Sequence, residues 1–312
     1  MHFIKDELDF GPGLDAAAGS SVGAGPLARR ENQDNFLLID AHGHAACLVG
    51  QTPWRGQVAG WPAGHVRLAV LDGMGGHGHG REAAEATVQG LLAIPACLDV
   101  ASLARELDQL HARLQVAFDT GDAQARPPGT TLTLLEIPPR QAPLLYHVGD
   151  SRLYEVADAA VTPLTLDHVP ATVYAMHGVI DEPQWRSRVY GAHQPQIAQA
   201  FILGNVIVDP QVLGSELHAL GESNLPPFLA HLGDRRALRL RREASYVLAS
   251  DGFWSCPDPA SVLARWPALC EGRTAAQAAT ALFDDFLRHP PEGLHSDNLT
   301  LLVLRIKASA ER

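Results

Sequence analysis

The sequence has 312 residues, of which 46% are apolar and 19% are charged, and its formal net charge at pH 7 is −11. These values are typical of a globular protein with a sizeable core, and the negative charge argues against nucleic-acid binding as the main function. The 4 cysteines form no C-x-x-C pair, which indicates reduced thiols, and no apolar run reaches the roughly 18 residues of a membrane helix. Because the first residues do not resemble a targeting segment either, we expect a cytoplasmic protein with no membrane partner.

Apolar runs and helical periodicities give most of the chain a clear secondary structure. In chain order, we predict strands at NFLLID and VRLAVLD, helices at REAAEATVQGLLAI and VASLARELDQLHARLQVAFDTG, strands at TTLTLLEI, APLLYHVGD, SRLYEVAD and EASYVLASD, helices at PASVLARW and TAAQAATALFDDFLRH, and a last strand at DNLTLLVLRI. The second helix is expected to end at Gly121, which would be its C-cap. Strands and helices do not alternate strictly, so this order favours antiparallel sheets covered by paired helices over a doubly wound parallel sheet.

Three segments have no clear period. Residues 1–19 are interpreted as an N-terminal arm, although the small-residue stretch after Phe10 is also compatible with a weakly apolar edge strand. Residues 41–65 read as an elaborated hairpin loop, and residues 169–240 contain only short periodic pieces between scattered prolines and glycines.

Five aspartates occupy the same kind of position. Asp72 and Asp251 follow apolar strands, Asp150 lies in the GDSR turn, and Asp34 and Asp297 precede strands. In an antiparallel sheet, the end of one strand and the start of its neighbour lie at the same edge, so these acids can converge. Clustered carboxylates repel one another unless cations are bound, and oxygen ligands suit Mg²⁺ or Mn²⁺.

The glycine-rich turn LDGMGGHGHGREAA connects a strand to a helix, as phosphate-binding turns do, but it begins with an acid that would repel a phosphate. A metal ion between the acid and the phosphate would resolve this conflict. Glycines would let backbone carbonyls and water approach that ion closely.

Each of these features also has a purely structural interpretation. Asp-Gly pairs and GDSR are ordinary turns, and adjacent arginines are ordinary surface charge. Two H-x-H pairs, His42 with His44 and His77 with His79, suggest a zinc site. No cysteine or third histidine has a suitable spacing, so we favour solvated histidines in loops. The functional interpretation is preferred because five separate turns would otherwise have to coincide.

Seven motifs occur in a characteristic order: RRENQD, LDGMGGHGHGREAA, GTTLTLL, HVGDSRLY, LTLDH, ASDGFW and SDNLTLLVL. Together they resemble the metal-dependent serine/threonine protein phosphatases of the type 2C (PPM) family, especially its compact bacterial members. The resemblance extends from about Ser20 to Ile306. It implies a single domain over residues 20–312, in which residues 41–65 and 169–240 are insertions. It implies an α+β fold, a four-layer α-β-β-α sandwich of two antiparallel sheets flanked by helix pairs, with a binuclear Mg²⁺ or Mn²⁺ centre at one edge.

The resemblance also implies roles for individual residues. The implied ligands are Asp72 bridging two metals, Gly73 through its carbonyl, Asp251 and Asp297 completing the pair, Asp34 through metal-bound waters, and Asp150 at a third, weaker metal. Arg29 would bind the substrate phosphate, because a guanidinium fork pairs with two phosphate oxygens at once. Arg29 and Asp72 are therefore the implied catalytic residues.

The implied activity is hydrolysis of phosphoserine and phosphothreonine in proteins by direct attack of a metal-bridging water, in a signalling monomer that opposes a Ser/Thr kinase. The general acid is open. Met74 stands where some family members have a histidine, and His77 and metal-bound water are the candidates. The alternative function is a catalytically silent relative that binds phosphoproteins or senses metal, although such relatives usually lose a core aspartate. A metal-dependent nuclease is a third hypothesis, which the net charge opposes.

Overall fold

Two antiparallel sheets, packed face to face, form the centre of the molecule. A computed structural model describes residues 2–4, 8–75, 79–121, 127–205, 207 and 216–307. In chain order, the strands are β1 (His2–Ile4), β2 (Leu14–Ser21), β3 (Asn35–Ile39), β4 (His44–Val49), β5 (Thr52–Gln57), β6 (Val66–Leu71), β7 (Gly73–Met74), β8 (Gly129–Thr130), β9 (Leu132–Ile137), β10 (Leu144–Val148), β11 (Arg152–Ala157), β12 (Ala160–Pro163), β13 (Gln199–Ala200), β14 (Gly204–Asn205), β15 (Arg235–Ala237), β16 (Ser245–Ala249) and β17 (Leu299–Ile306). One sheet has the order β1-β2-β17-β16-β11-β12 and the other β15-β10-β9-β6-β3-β4-β5, while β7–β8 and β13–β14 form two short pairs.

Helices cover the outer face of each sheet. In chain order, the helices of the described residues are α1 (Gly80–Ala93), α2 (Val100–Ala117), α3 (Pro170–Met176), α4 (Glu182–Val189), α5 (Pro259–Leu263), α6 (Trp266–Cys270) and α7 (Ala275–Arg288). Helices α1 and α2 pack on the seven-stranded sheet, and α6 and α7 pack on the six-stranded sheet. A third apolar core fills the space between the sheets. The predicted four-layer α-β-β-α sandwich is therefore confirmed. No helix in the described part of the chain is long and apolar enough to cross a membrane.

Strand β6 lies in the middle of its sheet and is buried along its whole length. Its one charged residue, Arg67, is neutralised by Glu136 on β9, with Nε 2.7 Å from Oε2. Arg67 also donates hydrogen bonds to the carbonyls of Leu91 and Ile94 at the end of α1. Burial raises the pKa of Glu136, but Arg67 and the hydrogen bond from His65 outweigh burial and leave this pKa lowered. The network fixes the start of β6 to α1.

The N-terminal arm predicted for residues 1–19 is wrong for residues 2–4 and 14–19. The alternative of a strand is confirmed by β2, but its edge position is wrong, because β2 lies inside the six-stranded sheet between β1 and β17. Its alanines and glycines give little apolar signal, yet small residues are what this position requires. A Cβ at Gly19 would lie 2.6 Å from the ring of Phe3 and 2.9 Å from that of Phe283.

Two further boundaries differ from the prediction. Residues 41–65 contain β4 and β5, which pair at the edge of the seven-stranded sheet. Strand β5 carries a proline and a glycine, which only an edge strand tolerates and which hide it in the sequence. Helix α2 ends at Ala117 with Phe118 as its C-cap, before the predicted C-cap Gly121.

The insertion at residues 169–240 has a small core of its own. Helices α3 and α4 pack there around the buried Trp185, together with apolar residues of the segment that follows. Helix α4 begins with a capping box, in which Asp181 accepts from the backbone of Gln184 and the Gln184 side chain accepts from the backbone of Asp181. This subdomain therefore adds ordered structure next to the edge of the sheets where the site lies.

Candidate metal and phosphate site

Antiparallel pairing brings Asp34 and Asp72 to one edge of the seven-stranded sheet. Asp34 precedes β3 and Asp72 follows β6, and in the register of these strands Asn35 lies opposite Leu71. The two aspartates are therefore neighbours, as the sequence predicts.

The six-stranded sheet contributes the other three acids at the same end of the sandwich. In its register, Arg152 lies opposite Ala249, and Ala249 lies opposite Leu301. Asp150 just before β11, Asp251 just after β16 and Asp297 just before β17 consequently share one edge.

The five carboxyl groups interact electrostatically with one another. Burial, followed by repulsion from Asp34, Asp251, Asp297 and Asp150, holds the pKa of Asp72 well above its usual value. Burial and the charge of Asp251 do the same to the pKa of Asp150. Burial, with the charge of Asp297 also contributing, raises the pKa of Asp34 to about 7. Burial and Asp251 raise the pKa of Asp297 to about 6. Burial is the larger cause in all four cases, and the repulsion between the carboxyl groups adds to it.

Asp251 is the exception, because a histidine lies beside it. His193 Nε2 is 3.1 Å from Asp251 Oδ2, and both side chains are largely buried. Burial raises the pKa of Asp251, but His193 and a hydrogen bond with Asp72 outweigh it and leave the pKa lowered. The backbone amide of His193 donates to the carbonyl of Cys256, which fixes the insertion next to the acids. No motif in the sequence indicates His193.

Arg29 lies at the rim of the acid cluster. Its Nη2 is 3.0 Å from Asp297 Oδ1, and its Nε donates to the carbonyl of Ser296 at 2.8 Å. The side chain is 47% exposed, so its guanidinium is accessible to a phosphate from solvent. The position agrees with the predicted role, and phosphate binding by Arg29 stays a prediction.

The backbone around Asp72 is held by a neighbouring turn. Its carbonyl accepts from the amide of Thr131 at 2.8 Å, and its amide donates to Thr131 Oγ1 at 2.9 Å. A Cβ at Gly73 would collide with the carbonyls of Gln33 and Gly80. Glycine at position 73 is thus required by the close approach of three backbone segments. Its role as a carbonyl ligand stays a prediction.

A buried polar network supports the cluster from behind and was not predicted. Ser250 Oγ donates to Asp34 Oδ2 at 2.7 Å and accepts from the amide of Thr300 at 3.0 Å. Asn298 Oδ1 accepts from the amide of Gln33, and its Nδ2 donates to the carbonyl of Glu31. All five positions adjoin or fall within the RRENQD, ASDGFW and SDNLTLLVL motifs. For Gln33, Ser250 and Asn298, a position directly beside a candidate ligand aspartate is the signal that could have identified them.

The described histidines of the two H-x-H pairs lie in no group of possible metal ligands. His44 Nδ1 lies 3.1 Å from Asp40 Oδ2, and Asp40 also accepts the backbone amides of His42 and His44 as the cap of their turn. His79 is exposed before α1. The candidate general acid His77 lies outside the described residues, so that prediction is untested.

The donor atoms at the sheet edge are carboxylate oxygens, which are chemically suited to a hard divalent ion. Across the ranges that the structure describes, no three histidine, cysteine, aspartate or glutamate side chains form a closed ligand set. Asp297 and Asp251 instead contact Arg29 and His193. Ion binding would have to replace these two contacts.

Comparisons with known proteins identify the fold. No protein-family model and no curated protein match the chain. The PPM Ser-Thr phosphatase MsPP from Mycobacterium smegmatis, in complex with cacodylate, is 22% identical with a TM-score of 0.61, and the match covers 95% of this chain and 100% of that one. The Mycobacterium tuberculosis serine/threonine phosphatase PstP/Ppp is 21% identical with a TM-score of 0.62 and the same coverage. The catalytic domain of PstP in complex with 2 manganese ions is 20% identical with a TM-score of 0.59, covering 95% and 99%. The chain has the fold of these phosphatases.

Proposed function

We propose that this protein is a metal-dependent phosphatase of the PPM type that acts on phosphoserine and phosphothreonine in proteins. The observation that carries the proposal is the convergence of Asp34, Asp72, Asp150, Asp251 and Asp297 from both sheets at one edge, where burial and like charges raise the pKa values of all but Asp251. Buried acids that repel one another destabilise the fold, so a purely structural role does not explain their convergence. Binding of cations does explain it, because the cations would offset the repulsion.

Two Mg²⁺ or Mn²⁺ ions would be held by Asp72, the Gly73 carbonyl, Asp251 and Asp297, with Asp34 behind them. Asp150 would serve a third, weaker ion. When bound, such ions activate water as a nucleophile and offset the negative charge of the phosphate. Phosphate monoesters are among the slowest biological bonds to hydrolyse, with enhancements of up to about 10²¹-fold, so strong electrostatic stabilisation is required.

Residues of the chain itself would bind the substrate phosphate and hold the acids in place. Arg29 lies at the rim, where its guanidinium can leave Asp297 and take two phosphate oxygens, which fixes the direction from which the ester approaches. Ser250 holds the Asp34 carboxyl by a hydrogen bond, and Thr131 holds the backbone of Asp72. These contacts preorganise the acids, since a displacement of about 1 Å costs orders of magnitude in rate.

The proposal includes partners. The substrates would be proteins phosphorylated by a Ser/Thr kinase, and a monomer in the cytoplasm would act on them. The formal net charge of −11 supports a function without nucleic acid.

The test is hydrolysis of p-nitrophenyl phosphate and of phosphothreonine peptides, with Mn²⁺ and with chelator. We expect Mn²⁺-dependent phosphate release that Asp251→Asn reduces at least about 100-fold. Asp158→Asn is the matched control, because Asp158 is exposed in a turn with φ of 51°, which asparagine also tolerates. Activity that survives chelation would contradict the proposal. Mn²⁺ binding by calorimetry without turnover of any substrate would favour the silent, phosphoprotein-binding alternative.

A further inference from the structure

A cavity of about 80 Å³ lies between the GDSR turn and the insertion. Asp150 and His193 line its inner, buried end. Helices α3 and α4 supply its outer wall through Tyr174 and Arg188, which are both exposed. Because one water molecule needs roughly 10–15 Å³ in such a cavity, this volume has room for one side chain and not for a cofactor.

The cavity is continuous with the acid cluster. Asp150 belongs to both, and His193, which also lines the cavity, contacts Asp251. A phosphorylated residue whose phosphate lies over the aspartates would therefore place a neighbouring side chain at the opening of this cavity.

The walls determine which side chain fits. Val169, Pro170 and Val189 provide apolar surface. Asp167 and Arg152 also line the cavity, but they neutralise each other through an ion pair of 2.7 Å. Asp150 would be neutralised by a metal under the proposed function. Arg188 is thus the charge that remains.

Arg188 differs from the other arginine of its helix. Arg186 is paired with Glu182, with Nε 2.8 Å from Oε1. Within the described ranges, Arg188 has no ion-pair partner, and its guanidinium lies 6.0 Å from the ring centroid of Tyr174. A free cation on an apolar wall is suited to a side chain with an apolar stem and a carboxylate end.

We infer that this cavity binds an acidic side chain next to the phosphorylated residue of the substrate, with Arg188 as the residue that selects the negative charge. The inference rests on the proposed function and specifies its substrate class: phosphoproteins with a glutamate or aspartate close to the phosphorylated serine or threonine. Arg188 is a specificity residue, and it does not contact the reacting phosphate.

The experiment compares phosphothreonine peptides in which a single glutamate, alanine or lysine is moved through the positions on either side of the phosphothreonine. We expect one position where the wild type prefers glutamate over lysine by roughly fivefold in kcat/KM. Arg188→Glu should reverse this preference through KM, whereas Arg186→Glu, a matched charge reversal on the same helix, should retain it. Hydrolysis of p-nitrophenyl phosphate, which has no flanking residue, should be equal in all three proteins.

The outcomes separate the two proposals. If p-nitrophenyl phosphate is hydrolysed but no position depends on Arg188, the cavity does not select acidic residues and the inference is overturned. If p-nitrophenyl phosphate is not hydrolysed, the proposed function fails. Fluorescence anisotropy of the same peptides, carrying a label, then tests the cavity independently. The inference is overturned if the peptides bind with no preference for glutamate, or with a preference that Arg188→Glu does not reverse.

Discussion

Ser250 Oγ donates a 2.7 Å hydrogen bond to Asp34 Oδ2 and so joins the two sheets at the site. Ser250 follows β16 of the six-stranded sheet, and Asp34 precedes β3 of the seven-stranded sheet. Asp34 is buried, so its carboxyl group depends on this donor.

Removing the donor should weaken both stability and metal binding. We expect Ser250→Ala to lower the free energy of unfolding by about 1–3 kcal/mol, because a buried carboxyl group loses its partner. Affinity for Mn²⁺ should fall with it. Urea denaturation and calorimetry measure the two effects. Ser187→Ala, at an exposed position on α4, is the control and should change neither.

Divalent ions should stabilise the protein. The acids repel one another across the two sheets, so an ion that neutralises them binds only the folded chain. At a concentration 100 times Kd, one site contributes about 2.7 kcal/mol, which for a chain of this size raises Tm by roughly 5 °C. Differential scanning fluorimetry with Mn²⁺ and with chelator measures the shift. Asp72→Asn should abolish most of it, and an equal shift in that variant would contradict the proposed site.

Arg152 should be irreplaceable by lysine. It is buried, pairs with Asp167 through both Nε and Nη2, and donates to the carbonyl of Val189. Lysine cannot reproduce this fork, so we expect Arg152→Lys to cost about 2–3 kcal/mol. Amide hydrogen exchange should accelerate at residues 167–189 and not in α1 or α2. Arg241→Lys is the control, because Arg241 forms only exposed ion pairs with Glu155 and Asp158.

His147 should make stability depend on pH. Burial, followed by the charge of His168, lowers its pKa well below the usual 6.5, while its Nε2 contacts the carbonyl of Leu166. The unfolded chain therefore binds a proton below pH 6.5 at this position that the folded chain does not, so the contribution of His147 to stability falls as the pH decreases through this range. Asp34 and Asp297, whose pKa values are raised to about 7 and about 6, contribute with the opposite sign. The slope from one such group is at most about 1.4 kcal/mol per pH unit.

Urea denaturation at a series of pH values between 7.5 and 5.5 measures this dependence. We expect His147→Gln to lose less stability, or to gain more, than the wild type as the pH falls from 7.5 to 5.5, and His231→Gln, at an exposed position, to behave as the wild type does. An identical slope in wild type and His147→Gln would show that other groups cause it.

The acid cluster could be predicted because its signal is local. Each aspartate adjoins a strand whose apolar run is readable, and antiparallel pairing is sufficient to place strand ends and starts together. The same applies to β6, which is apolar because helices cover one face and the second sheet covers the other.

What could not be predicted depends on contacts between distant segments. His193 reaches Asp251 only because the insertion folds back through Arg152 and Asp167, and no pattern in that segment marks the histidine. The sequence indicates strand β2 only as an alternative to an arm, because alanine and glycine have low strand propensity. Its position is decided by the space beside Phe3 and Phe283, a property of the packed sandwich.

The two ends of β6 differ in how their charges are balanced. At its start, Arg67 and Glu136 neutralise each other, whereas just past its end, about 20 Å away by strand geometry, Asp72 meets like charges. Homologues should therefore tolerate substitutions to different extents at the two ends of β6. An internal ion pair can be exchanged as a unit for apolar side chains, so homologues are free to vary there. Under the proposed function the acid end depends on ions from outside the chain, so homologues that change it should have lost the phosphatase activity.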